Sequence, residues 1–155
     1  MIKMNESVKV ALENINFLEQ YQKISDKSRE GYSFEDYGIL SVDSDKVEKI
    51  LSELHCNFSY SKKEKFYRVG DAPFNKENYT GLNISLKQNI IEIIWVVYRD
   101  GELLIGTPWN ACGRMMVTPP MIIKPPLFKD YEELKVIFEA ILKIVSDFKA
   151  QIEFD

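Results

Sequence analysis

The chain is poor in the side chains that most enzymes and metal proteins use. Its 155 residues include one histidine, His55, and two cysteines, Cys56 and Cys112. A zinc site needs several such ligands, so a total of three, scattered along the chain, argues against one. Walker, GxGxxG and GxSxG motifs are missing, and no carboxylate pair falls in a DxDxDG-type calcium loop. No metal or cofactor is expected. No apolar run approaches the roughly 18 to 20 residues needed to span a bilayer. The start, Met1-Ile2-Lys3-Met4-Asn5-Glu6, lacks the apolar core and small-residue cleavage site of a signal peptide, so the expected location is cytoplasmic, with no membrane partner and with both thiols reduced.

Positive charge is also in deficit. Twenty basic side chains against 24 acidic ones give a formal net charge of −4. Nucleic-acid binding draws much of its affinity from neutralised phosphates, and this balance argues against it. A basic protein surface would meet the chain without repulsion. Internal repeats, low-complexity tracts and composition shifts are absent, which leaves a single domain over residues 1–155, long enough to bury about two thirds of its unfolded surface.

What the chain does have is a strongly apolar centre. In Ile90-Ile91-Glu92-Ile93-Ile94-Trp95-Val96-Val97-Tyr98 only Glu92 interrupts. Alternation sends Ile91, Ile93, Trp95 and Val97 to one face and Ile90, Ile94, Val96 and Tyr98 to the other, so the segment predicts a central strand covered on both sides. Arg99-Asp100-Gly101-Glu102 then predicts a type I′ hairpin into Leu103-Leu104-Ile105. Upstream, Leu82, Ile84 and Leu86 alternate with polar residues and reach the central strand through Gln88-Asn89. Phe58 and Tyr60, with Phe66, Tyr67 and Val69, predict another hairpin turning at Ser61-Lys62-Lys63-Glu64. The polar stretch Gly70 to Gly81 reads as a long loop, and Arg114 to Val117 as an edge strand stopped by Pro119-Pro120.

Helical spacing appears three times. Val8, Ala11, Leu12, Ile15 and Leu18 predict one amphipathic helix from Glu6 to Lys27 capped by Asn5. Val47, Ile50, Leu51 and Leu54 predict a short helix whose capping box is Asp45 with Glu48, and a short strand from Gly38 to Val42 precedes it. Leu134, Ile137, Phe138, Ile141, Val145 and Phe148 predict a last helix entered through Asp130 and Glu133. Pro125-Pro126 makes the segment before it an extended surface connector. The fold class is α+β: an antiparallel meander of about five to six strands covered by N-terminal and C-terminal helices.

Chemistry-bearing groups are few. His55 ends the second helix, where it would serve the helix dipole. Cys112, in Asn110-Ala111-Cys112-Gly113-Arg114, reads either as a thiol packed under Trp109 or as a nucleophile activated by the cation two places on. Residues 29–53 are different. Glu30, Glu35, Asp36, Asp43, Asp45, Glu48 and Glu53 outnumber Arg29, Lys46 and Lys49, and are interleaved with Tyr32, Phe34 and Tyr37. Aromatics within an acidic surround are what a hot spot for a basic partner looks like. The candidate contact residues are therefore Tyr32, Phe34, Glu35, Asp36, Tyr37, Asp43, Asp45 and Glu48, with Trp109 and Asn110 as a second patch. A solvated helix face is the competing reading of the first group, and a cap on the core that of the second.

In Gly106-Thr107-Pro108-Trp109 and in Pro126-Leu127-Phe128-Lys129-Asp130-Tyr131-Glu132-Glu133-Leu134 the C-terminal half resembles small immunity proteins of bacterial polymorphic and contact-dependent toxin systems. The resemblance implies a stoichiometric inhibitor, not an enzyme, that binds a cognate toxin domain, often a nuclease, and covers its active site or substrate surface. Such families share no universal binding residues. Two alternatives stand beside it: an enzyme or small-ligand protein using Cys112, Arg114 and the Gly70 to Gly81 loop, and a self-associating scaffold subunit.

Overall fold

The computed structural model describes residues 4–31 and 41–152. Its centre is a five-stranded antiparallel sheet in the order β1 (Phe58–Ser61), β2 (Phe66–Gly70), β3 (Asn78–Lys87), β4 (Ile90–Arg99) and β5 (Glu102–Ile105). Each strand pairs with its sequence neighbour, as short connections require. The Asp100-Gly101 turn has φ of 54° and 80° at its two central residues, the type I′ signature that Asp-Gly accommodates. The chain is an α+β protein, as its hydrophobic periods predict.

The helices are α1 (Glu6–Asn14), α2 (Phe17–Arg29), α3 (Ser44–Glu53), α4 (Trp109–Met116) and α5 (Tyr131–Ile152). The single helix expected from Glu6 to Lys27 is two. Asn16 adopts the left-handed conformation at φ 54° and ψ 46°, which an asparagine tolerates better than most residues. The break turns Phe17 and Tyr21 into the core, where Phe17, Tyr21, Trp95 and Trp109 form one aromatic cluster and Phe148 of α5 closes on Trp95 at 4.7 Å. Buried rings of this size contribute more than any other core element.

Cover on both faces of β4 is not what forms. Tyr67, Val69, Leu82, Ile84, Ile91, Ile93, Trp95, Val97 and Ile105 join buried residues of all five helices in one core. The opposite residues Ile90, Ile94, Val96 and Tyr98 are only half-buried. Part of that outer face is roofed by Phe74, from the 71–77 loop, which meets Tyr79 and Tyr98 edge-on. The long loop expected between Gly70 and Gly81 is thus shorter, because β3 begins at Asn78.

The edge strand expected over Arg114 to Val117 belongs instead to α4 and its C-cap. Trp109, Cys112 and Met116 fall at helical spacing and are buried, and core burial outweighs the weak helix propensity of Asn110 and Gly113. Gly113 is required there, since a Cβ would collide with the Met121 carbonyl. The diproline connector does not simply cross the surface. The Ile91 amide donates to the Pro126 carbonyl at 3.0 Å and that of Phe128 to the Asn89 carbonyl at 3.0 Å, so the connector finishes the free edge of β4. Ser25 Oγ donates to the Lys124 carbonyl at 2.6 Å and Arg29 to that of Pro125 at 2.7 and 3.0 Å, which ties α2 to the same segment.

Candidate functional site

The N-terminus of α3 is built by Asp43 rather than by the expected Asp45 box. Asp43 Oδ1 accepts from the amides of Asp45 at 3.0 Å and Lys46 at 3.4 Å, which satisfies two donors that a helix start leaves open. The Asp43 amide donates to the Tyr131 hydroxyl at 2.9 Å, and Lys46 Nζ lies 5.1 Å from the Tyr131 ring centre. The first turn of α5 thereby fixes the first turn of α3. At its other end Lys135 of α5 reaches Glu53 at 2.8 Å and holds that carboxyl below its ordinary range.

Along α3 and its cap Asp43 and Asp45 are exposed and Glu48 is half-buried, and the next elements in the chain are the strands of the β1–β2 hairpin. There Tyr60 and Tyr67 sit opposite each other in the ladder with ring centroids 4.7 Å apart. Tyr67 is buried, whereas Tyr60 is 41% exposed. Burial pushes the Tyr67 hydroxyl up to about 12, and the charges of Glu48, then Asp43 and Asp45, push the same way. Tyr60 and Tyr67 are the site residues that the sequence reading missed. Only the hairpin register, set by the turn after Ser61, could have paired them.

The other expected contact residues fare differently. Tyr32, Phe34, Glu35, Asp36 and Tyr37 lie outside the described residues, as does most of the expected strand from Gly38 to Val42. Trp109 is not surface at all. It is fully buried against Phe17, Tyr21 and Trp95, so only its neighbour Asn110 remains exposed, at the rim of a cavity of about 250 Å³ shared with Tyr21, Glu92 and Pro125. Cys112 lies in α4, fully buried, with its thiol 3.5 Å from the Pro108 carbonyl. Burial pushes that thiol up to about 12, the reverse of nucleophile activation, and Arg114 is exposed on another side of the helix. His55 is exposed and left-handed at φ 57°, donating its amide to the Ser52 carbonyl at 3.1 Å. It ends α3 as a left-handed cap.

No family model, curated protein or solved structure matches the chain. Among the described residues no group of three or more His, Cys, Asp or Glu side chains is placed to hold a metal ion, and no helix is long and apolar enough to cross a membrane. What the described residues do show is an acidic, exposed start of α3 and, on the β1–β2 hairpin, an exposed phenol stacked on a buried one.

Proposed function

We propose that the protein is a bacterial, cytoplasmic immunity protein, a stoichiometric binder that neutralises a cognate toxin by covering its active site or substrate surface. The observation that carries this reading is the acidic start of α3, where Asp43 and Asp45 are exposed and Glu48 is half-buried, together with the exposed Tyr60 ring stacked on Tyr67 of the neighbouring strand. A nuclease toxin presents a basic groove to its polyanionic substrate. Carboxylates spaced along a helix offer that groove the same charge, and electrostatic complementarity accelerates association while excluding wrong partners. Tyr60 supplies the apolar, hydrogen-bonding anchor that interface hot spots favour.

The test is calorimetric titration of the full chain with the toxin domain encoded beside its gene, at low and high salt. A one-to-one complex that weakens with salt, and that Asp45→Lys with Glu48→Lys weakens by about a hundredfold, supports the reading. Absence of binding to any neighbouring gene product, or binding indifferent to the charge reversal, overturns it.

A further inference from the structure

One rung at the edge of β4 is left open. Only Val97 to Arg99 of β4 pair with β5, so the earlier residues take their partners on that side from loop segments. The Trp95 amide donates to the Thr107 carbonyl and the Ile91 amide to the Pro126 carbonyl, each at 3.0 Å. Strand residues two apart send their amides to the same side, so the Ile93 amide points into the gap between these two bonds. Among the described residues it has no acceptor.

Both flanking segments leave the ladder for identifiable reasons. In register with Pro126, the next acceptor for Ile93 is the Lys124 carbonyl, and that oxygen takes Ser25 Oγ at 2.6 Å instead. On the other flank the chain enters α4 at Trp109, where carbonyls run along a helix axis. Ile93 is 2% exposed, and a buried amide without a partner is rare. The cavity of about 250 Å³ opens at this rung, lined by Tyr21, Glu92, Ile93, Pro108 and Pro125, with Asn110 at its rim. Tyr21 is buried, and its hydroxyl also has no hydrogen-bond partner among the described residues. That oxygen is not shut in as the Tyr79 hydroxyl is, and it opens on the cavity the residue lines. Two unused donors therefore border one space. The charged side chain on the same wall is Glu92, whose carboxylate lies 3.4 Å from Lys87 Nζ.

We propose that this cavity binds a small neutral amide, its carbonyl oxygen taken by the Ile93 amide and the Tyr21 hydroxyl, its N–H turned to the Glu92 carboxylate, and its body between Pro108 and Pro125. A carbonyl oxygen has two lone pairs, which matches two donors. An anion would be desolvated beside a carboxylate on a wall that carries no cation, and that is costly. A single water, about 30 Å³ of liquid, would leave most of the volume empty. The volume is also below the roughly 300 Å³ at which drug-sized sites begin, which restricts the ligand to one ring or a short chain. Neither the start of α3 nor Tyr60 lines this cavity, so the inference stands apart from the immunity-protein reading.

The test is titration of the isotope-labelled full chain with benzamide, benzoate and N,N-dimethylbenzamide, followed by amide chemical shifts. Benzamide should give saturable shifts centred on Ile93 and Asn110. It should bind about tenfold or more tightly than benzoate, which is charged, and than the dimethyl compound, which has no N–H to give. Tyr21→Phe should raise the benzamide dissociation constant about threefold or more, and Glu92→Ala should do the same while narrowing the gap to benzoate. Tyr21→Phe keeps its ring against Trp109, so its thermal midpoint should be no lower than that of the parent chain. A lowered midpoint would show that the hydroxyl serves the fold and not a ligand. The assignment also fails if benzamide does not saturate at tens of millimolar, if benzoate binds as tightly, or if both variants bind as the parent does.

Discussion

Phe17 stands edge-on to Trp109, with ring centroids 5.0 Å apart and planes at 89°. The contact joins the first residue of α2 to the first residue of α4, and it exists because Asn16 breaks the N-terminal helix one residue earlier. Phe17→Ala removes a fully buried ring from between two tryptophans and should destabilise the protein by about 3 to 5 kcal/mol. Asn16→Ile, which touches no ring, should still lose about 1 to 2 kcal/mol because a β-branched residue is strained in the left-handed region. Chemical denaturation of both variants checks the pair. Equal stability of Asn16→Ile and the parent would mean that the break does not position Phe17.

The ends of α3 give a second prediction. Asp43→Ala removes the side chain that caps the helix and should lose about 1 kcal/mol, whereas Asp45→Ala, whose carboxylate caps nothing, should stay within about 0.5 kcal/mol of the parent. At the other end His55→Gly relieves a positive φ while keeping the backbone bond to Ser52, and should gain about 0.5 to 1 kcal/mol. Thermal melts of the three variants rank them. A larger loss for Asp45→Ala than for Asp43→Ala would reassign the cap.

Tyr60 is where the proposed recognition can be tested apart from folding. Because its ring is 41% exposed at the edge strand, Tyr60→Ala should change stability by less than about 1 kcal/mol while, on the immunity-protein reading proposed above, abolishing most of the affinity for a toxin domain. Tyr67→Ala, by contrast, empties a core position and should unfold more easily by about 3 kcal/mol or more. Denaturation and calorimetry on the same two proteins decide whether the exposed ring is an anchor or an ornament of the hairpin.

The meander and the last helix were legible because each rests on a local signal: the Asp100-Gly101 turn, the alternation in Leu82 to Leu86, the stripe from Leu134 to Phe148. α4 was not, although Trp109, Cys112 and Met116 carry the right spacing, because Pro108 and Gly113 read as punctuation. Gly113 in fact serves the close approach of Met121, a contact between segments that no local pattern encodes. The carboxylates of the acidic corner were visible in the chain. The tie that fixes their helix was not, since it depends on Tyr131 of α5 accepting from the Asp43 amide, a contact across 88 residues. The apolar outer residues of β4 likewise suggested a second covering layer, where Phe74 and its loop supply only a partial roof.

The Cys112 thiol makes stability fall in alkali. Its folded-state value, pushed by burial from about 9 up to about 12, means that between those limits the unfolded chain loses the proton while the folded chain keeps it. The unfolded state then binds fewer protons, so its contribution is fully present below pH 9 and is lost, at about 1.4 kcal/mol per pH unit, as pH rises toward 12. Urea melts of the parent and Cys112→Ala at pH 8 and pH 10.5 should show the parent's advantage shrinking. Thiol titration at pH 8 should find Cys112 unreactive until denaturant is added. Ready modification of the folded protein at this residue would contradict the buried placement.

Asp71 anchors the loop that roofs the outer face. One carboxylate oxygen accepts from the Thr80 amide at 3.0 Å and the other from Lys149 Nζ at 2.5 Å. Both side chains of the ion pair are about a third exposed or more, at 32% and 40%, so solvent screens it and its coupling energy should be about 1 kcal/mol or less. The amide bond matters more, because Asp71→Ala leaves a strand-end donor in β3 without its side-chain acceptor. Hydrogen exchange should therefore accelerate at Thr80 and through residues 71–77 in Asp71→Ala, but much less in Lys149→Met, and a double-mutant cycle between the two should return only the small screened term. If Lys149→Met loosened the loop as much as Asp71→Ala does, the ion pair and not the hydrogen bond to Thr80 would be what holds Phe74 over Tyr79.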